Sequence, residues 1–276
     1  MKLGCHVSIS GSVDKSVDRA EALGCDVFQI FTKNPRRWKS RVFSQAEVEW
    51  FKTKLSNTGI HPVFSHVSYL PNLSSSVEAR FVRSVDAFTE ELKRCNLLRV
   101  PYLVTHLGSH LGKGLDTGIK QVVKAIDSST KRVEDHPMIL LENTSGKTNE
   151  VGSTFEEINN IIQQVSTDNV GVCLDTCHAF ARGYDISNRI GVDEIIDEIE
   201  DTVGVERVKL VHINDSRGEL GSRMDRHNHI GLGKIGVQGF IELINSELGE
   251  KPLVLETPVD DVRSDADNLM WVRQLS

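Results

Sequence analysis

The sequence predicts a closed (β/α)8 barrel, with residues 1–276 forming one domain. Three observations carry this. Short apolar runs recur eight times along the chain. Stretches with helical periodicity separate them, and strand alternating with helix implies a parallel sheet. No composition break, long linker or low-complexity segment divides the 276 residues. Eight such units in about 250 residues match a closed barrel better than an open sheet.

The runs occupy residues 3–7, 27–31, 62–65, 102–105, 138–141, 170–174, 208–211 and 253–255. Each is short and near-continuously apolar, as a strand buried on both faces requires. Between them, Ser44 with Glu47, Ser75 with Glu78 and Thr154 with Glu157 match the S/T-x-x-E capping box. In that box the hydroxyl and the carboxylate satisfy each other's backbone amides at a helix start. Residues 193–203 and 237–248 carry apolar side chains at three- and four-residue steps, giving each a stripe to lay on the sheet.

Composition narrows the function classes. With 39% hydrophobic and 26% charged residues the chain can bury a large core. A net charge of −7 argues against a generic polyanion binder, so any nucleic-acid contact must come from a local basic patch. The five cysteines (Cys5, Cys25, Cys95, Cys173 and Cys177) form no CxxC pair, and most lie in apolar runs. They read as reduced, buried thiols of a cytosolic protein, with Cys177 less secure between two candidate ligands. The opening MKLGCHVSIS has no apolar signal core and no stretch is long enough to span a bilayer. The expectation is a cytoplasmic monomer without membrane contact.

The residues that follow the runs carry the chemistry. The last six runs end at His66, His106, Glu142, Asp175, His212 and Glu256, spaced 40, 36, 33, 37 and 44 residues apart. Each interval is the length of one strand-plus-helix unit, so a barrel brings all six to one face. One such residue has a bland reading as a hydrogen-bonded group in the barrel mouth. Six in succession do not, because three converging carboxylates repel one another unless cations join them. In VGVCLDTCHAFARGYD (170–185), His178 follows Asp175 by three positions; the competing reading is a helix cap at Asp175 and an ordinary polar His178. A loop after the seventh run adds Asp225 and His227, with His229 two residues on.

Five imidazoles with four carboxylates suit zinc better than magnesium or calcium, which prefer all-oxygen shells. The set is too large for one tetrahedral ion, so several cations are expected, with Glu142 or another carboxylate bridging two. Clustered cations at a barrel mouth point to hydrolysis, because paired ions roughly 3.5–4 Å apart activate water and clamp the oxygens of an in-line phosphoryl displacement. No Ser-His-Asp arrangement competes. The glycine-rich GLGKIG (231–236) lacks a preceding strand and reads as a turn before the helix near Val237. The basic patch that the net charge demands is TKNPRRWKSR, with Lys33, Arg36, Arg37, Lys39 and Arg41 and no acid over residues 32–45. It follows the second strand, on the same face, and could neutralise phosphates. Trp38 could pack beneath it.

These segments resemble the endonuclease IV family of apurinic/apyrimidinic DNA endonucleases over essentially the whole chain. The motifs that carry the likeness are LENTSG, VCLDTCHAFARGYD, HINDS, GSRMDRHNHIGLGKIG, SHVSYLPNL, THLGSHL and VLET. The resemblance implies three zinc ions, one at His66 and His106, bridged by Glu142 to a second at Asp175, His212 and Glu256. The third would sit at His178, Asp225 and His227. It implies a double-stranded DNA partner containing abasic sites, with Arg36 inserted and Tyr69-Leu70 as a wedge in the gap left by the missing base. The implied reaction is hydrolysis of the phosphodiester 5′ to the abasic site, leaving a 3′-hydroxyl and a 5′-deoxyribose phosphate. Removal of 3′ blocking groups in base excision repair follows from the same chemistry. Glu142 is the implied catalytic position, holding the paired ions rather than accepting a proton. Leu107, Asn228 and Leu232 depart from the family pattern without removing a ligand. The competing expectations are a sugar isomerase or epimerase on the same barrel, which has no use for a third ion, and a non-catalytic lesion binder, which has no use for nine ligands.

Overall fold

The computed structural model describes residues 1–275. Eight parallel strands close into a barrel: β1 (Lys2–His6), β2 (Val27–Ile30), β3 (Val63–His66), β4 (Tyr102–Thr105), β5 (Met138–Glu142), β6 (Val170–Asp175), β7 (Val208–His212) and β8 (Pro252–Leu255). Each pairs with its sequence neighbours, and β1 pairs with β8 to close the ring. Helices α1 (Lys15–Ala22), α2 (Gln45–Asn57), α3 (Glu78–Leu98), α4 (Leu115–Thr130) and α5 (Phe155–Ile162) follow the first five strands. After β6 come α6 (Thr176–Arg182) and α7 (Arg189–Thr202); α8 (Gly236–Ile244) and α9 (Asp265–Leu275) follow β7 and β8.

The apolar runs split into two cores because side chains alternate across a strand. Outward residues such as Phe28 meet the helices, where Phe51, Phe88, Phe155 and Phe240 are fully buried. Inward, Val27, Phe64, Val104, Leu140, Cys173, Leu210 and Val254 fill the barrel, with Tyr102 and Met138 packed against them. The matching β1 position is Gly4. A Cβ there would sit 1.7 Å from the Val27 carbonyl oxygen, so only glycine permits this approach. Two residues further along every strand, the next inward position is polar: His6, Gln29, His66, His106, Glu142, Asp175, His212 and Glu256. An apolar plug therefore supports a layer of hydrogen-bonding and ionisable groups at the carboxyl ends.

Helix starts agree with expectation in part. Ser44 and Glu47 form the full capping box on α2. Thr154 caps α5 through the Glu157 amide, but the Glu157 carboxylate accepts from Gly152 and Ser153 instead of closing the box. Ser75 does not cap α3. That helix opens at Glu78 behind Val77, and Ser75 Oγ accepts from the Val77 amide. Helix α7 begins at Arg189, before the predicted residue 193, because Asn188 caps it through the Gly191 amide. Helix α8 stops at Ile244 and a 3-10 turn, Glu247–Glu250, takes over. Among the described residues no helix is long and apolar enough to cross a membrane.

Candidate metal centre

The predicted ligand positions converge on one cavity of about 430 Å³, lined in part by His66, His106, His178, Asp225, His227 and Glu256. Glu142, Asp175 and His212 lie below, fully buried. The two Glu142 oxygens face different groups. Oε2 lies 3.0 Å from His66 Nε2 and 3.5 Å from His106 Nδ1, while Oε1 lies 3.0 Å from His212 Nδ1. His212 Nδ1 is in turn 3.4 Å from Glu256 Oε2 and 3.9 Å from Asp175 Oδ2. On the loop side, Asp225 Oδ1 stands 3.3 Å from His178 Nε2 and 3.7 Å from His227 Nε2. His66–His106–Glu142, His66–His212–Glu256 and His178–Asp225–His227 each gather three donor atoms within 4.8 Å.

The outer nitrogens of these imidazoles show which atoms face inward. His66 Nδ1 meets the Val67 carbonyl at 2.6 Å, His178 Nδ1 the Asn143 carbonyl at 3.0 Å and His227 Nδ1 the Glu256 carbonyl at 3.0 Å. A carbonyl only accepts, so each Nδ1 carries a proton and a neutral ring presents its Nε2 lone pair to the cavity. Metal-bound histidines are oriented in this way. His227 Nε2 is buried and, among the described residues, has no hydrogen-bond partner. A buried nitrogen without a partner is costly unless something else binds it. The donor set of imidazole and carboxylate fits zinc.

Asp175 combines the two readings that competed for it. Oδ1 caps α6 through the His178 amide at 2.7 Å, and Oδ2 takes the Asn214 amide at 2.7 Å beside His212 and His227. The cap therefore orients the carboxylate. Asn143 brackets the Asp175 backbone through both amide atoms, and Asn214 Oδ1 also takes the Glu256 amide. His178 is not an ordinary loop residue, since it lies within α6 and is buried.

Charge is concentrated here. Burial opposes a proton on His178, but Asp175, Asp225 and Glu142 outweigh it and lift the imidazole to about 10. Burial favours neutral Glu142, yet His106, His212 and His66 hold it well below the usual carboxylate range. Glu256 and Asp225 are depressed in the same way, against burial, chiefly by His212 and by His178. Glu142, Glu256 and Asp225 thus favour protons on His66, His178 and His212 when no cation is bound, whereas burial holds His106 below its ordinary value.

Sequence reasoning missed the first two members of the polar layer, His6 and Gln29. The signal was present: a glutamine interrupts the apolar run VFQIF, and His6 closes β1 as His66 closes β3. His229, by contrast, stands apart. It contacts Asp260 at 3.0 Å and Asn268 at 3.0 Å, tying the loop after β8 to the loop after β7.

The basic loop needs two corrections. Lys33 is buried and paired with Glu91 at 3.0 Å, and Arg41 is paired with Glu47. Arg94, also buried, reaches the Thr32 and Arg41 carbonyls and lies over Phe43. Lys33 and Arg41 thus secure the loop, leaving Arg36, Arg37 and Lys39 exposed. Trp38 is half-buried beneath the Arg83 guanidinium, 4.1 Å away. Tyr69 is 66% exposed at the cavity rim with its ring against Phe31, and Leu70 is half-buried beside it. Leu107, one departure from the family pattern, is fully buried, whereas Leu232 is exposed. All five cysteines, Cys177 included, are buried and free.

The chain matches the family model described as a xylose isomerase-like TIM barrel over residues 17–275. It is 47% identical over 281 residues to a protein of Methanosphaerula palustris named probable endonuclease 4, covering 100% of this chain and 98% of that one. A protein of Nitrosopumilus maritimus with the same name is 45% identical over 280 residues, covering 100% of both. Among solved structures, endonuclease IV from Thermus thermophilus superposes with a TM-score of 0.89 at 38% identity, covering 100% of this chain and 98% of that one. A D-tagatose 3-epimerase-like protein superposes at 0.72 with 18% identity, covering 100% and 97%, a likeness of fold alone.

Proposed function

The chain belongs to the endonuclease IV family and is an endonuclease of DNA repair; we propose that it uses three zinc ions to hydrolyse the phosphodiester 5′ to abasic sites. The products would be a 3′-hydroxyl and a 5′-deoxyribose phosphate, and the same centre would clear blocked 3′ ends. The observation that carries this reading is the Glu142 carboxylate, whose two oxygens face separate donor groups, with a third group, His178–Asp225–His227, beside them. His66, His106 and Glu142 would hold one zinc, Glu142, Asp175, His212 and Glu256 the second, and His178, Asp225 and His227 the third. Zinc bound there supplies activated water at neutral pH and neutralises charge on the phosphate.

The protein's own groups supply the rest. Glu142 is fixed between imidazoles and acts by holding the two donor groups in register. The carbonyl tethers keep His66, His178 and His227 in place before substrate arrives, so little reorganisation is needed. Tyr69, exposed at the cavity rim, and Leu70 would form the wedge in the duplex, and Arg36, Arg37 and Lys39 would offer exposed cations to its backbone. An absent base reduces the cost of extruding the lesion into the cavity. The third donor group and the exposed cations separate this reading from a sugar epimerase on the same barrel.

The test is incision of an end-labelled duplex carrying one abasic site by purified, zinc-loaded protein. The expected nick lies on the 5′ side and is extended directly by a DNA polymerase. A nick that cannot be extended, or equal cleavage of undamaged duplex, would contradict the proposed chemistry.

A further inference from the structure

Gln29 is fully buried on β2, in register with His6 of β1. An uncharged amide inside an apolar run is costly unless all its groups are satisfied, and here three partners do so. Nε2 lies 2.7 Å from Glu256 Oε1 and 3.1 Å from His6 Nδ1. Oε1 lies 2.9 Å from His212 Nε2. A carboxylate accepts and an amide nitrogen donates, so the Glu256 contact fixes which way the amide faces.

Two consequences follow for the rings. Amide hydrogens reach Glu256 and His6 Nδ1, so His6 accepts at Nδ1 and carries its own proton on Nε2. The amide oxygen takes the Nε2 proton of His212, which leaves the Nδ1 lone pair of that ring facing Glu142 and Glu256. His6 lines the cavity wall, where its Nε2–H is a donor suited to a phosphate oxygen.

We propose that Gln29 is the positioning residue of this centre: one amide sets which nitrogen His212 offers to a metal and which hydrogen His6 offers to the substrate phosphate, while steering the Glu256 carboxylate. This rests on the metal-dependent reading of the site and adds to it a residue that touches neither metal nor substrate. Its place on β2 also explains how the ligands from β7 and β8 are oriented by a strand that contributes no ligand itself.

The experiment uses the full chain in three forms: wild type, Gln29→Leu and Gln29→Glu. Ring nitrogen NMR on zinc-loaded wild type is expected to place protons on Nε2 of both His212 and His6. Zinc affinity, measured against a competing chelator, should fall about 10- to 100-fold in Gln29→Leu, the usual effect of losing an outer partner of a metal ligand, while cooperative melting is retained. Gln29→Glu keeps an acceptor for His212 but loses the donors, so the His6 proton should move to Nδ1. A wild-type His6 proton on Nδ1, or zinc affinity in Gln29→Leu within twofold of wild type, overturns the inference alone. Wild type that binds no zinc overturns the metal reading and this inference with it. The wild-type spectra need no variant, so the test stands even if Gln29→Leu fails to fold.

Discussion

Glu142 combines complete burial, a carboxyl held well below the usual carboxylate range and four neighbouring imidazoles in one side chain. Replacing it with glutamine keeps the shape and removes one anionic oxygen. Glu142→Gln should lower abasic-site incision by at least about a hundredfold, roughly 3 kcal/mol in the barrier, while binding of abasic duplex stays measurable. Full activity in gel-based incision assays would refute the bridging role. The protons on the histidines give a second prediction. His178 is raised from 6.5 to about 10 in the absence of a cation. A raised imidazole contributes stability that is complete below 6.5 and is lost as pH climbs through about 10. Metal-free protein should therefore lose melting temperature between about pH 7 and 10, and zinc-loaded protein should not, because the cation displaces that proton. Calorimetric zinc titrations at about pH 7.5 in buffers of different ionisation heat should report proton release. Identical heats in all buffers would contradict the assignment.

Long-range pairing of elements was the least legible part of the sequence. The run of cations from Lys33 to Arg41 reads as a phosphate-binding loop, and nothing local distinguishes Lys33 from Arg36. Their difference is made by α3, whose Glu91 and Arg94 reach back to hold the loop at both ends. No spacing rule connects those positions. Ser75 shows the converse: a local pattern fits a capping box, but the helix opens only at Glu78. The Lys33–Glu91 pair is buried, with side chains 3% and 1% exposed. Glu91→Gln leaves a buried ammonium without its counter-charge, which costs about 3–5 kcal/mol. Chemical denaturation should show that loss with zinc content unchanged; a loss below about 1 kcal/mol would mean that Lys33 can reach solvent.

Across the molecule, the barrel turns a two-residue period into a site. Val27, Phe64, Val104, Leu140, Cys173, Leu210 and Val254 fill the interior, and the residue two further along each strand joins a polar layer above. That rule made most of the centre legible, because each of the last six apolar runs ends at the residue that enters the layer. It failed at β1 and β2, where the polar residue lies within the run and is hidden among its apolar neighbours. Asp225 and His227 follow no strand period; they stood out as a D-x-H pair in a loop on the same barrel face, and their grouping with His178 came from motif likeness. Asn143 and Asn214 carry no signal beyond their neighbours.

We propose that this polar layer, completed by His178 of α6 and by Asp225 and His227 from the loop after β7, binds a cluster of three zinc ions. Elemental analysis of active protein, purified without chelators and freed of loosely held metal, tests it most directly. Three zinc ions per chain are expected. One or no transition-metal ion per chain in fully active protein would contradict it.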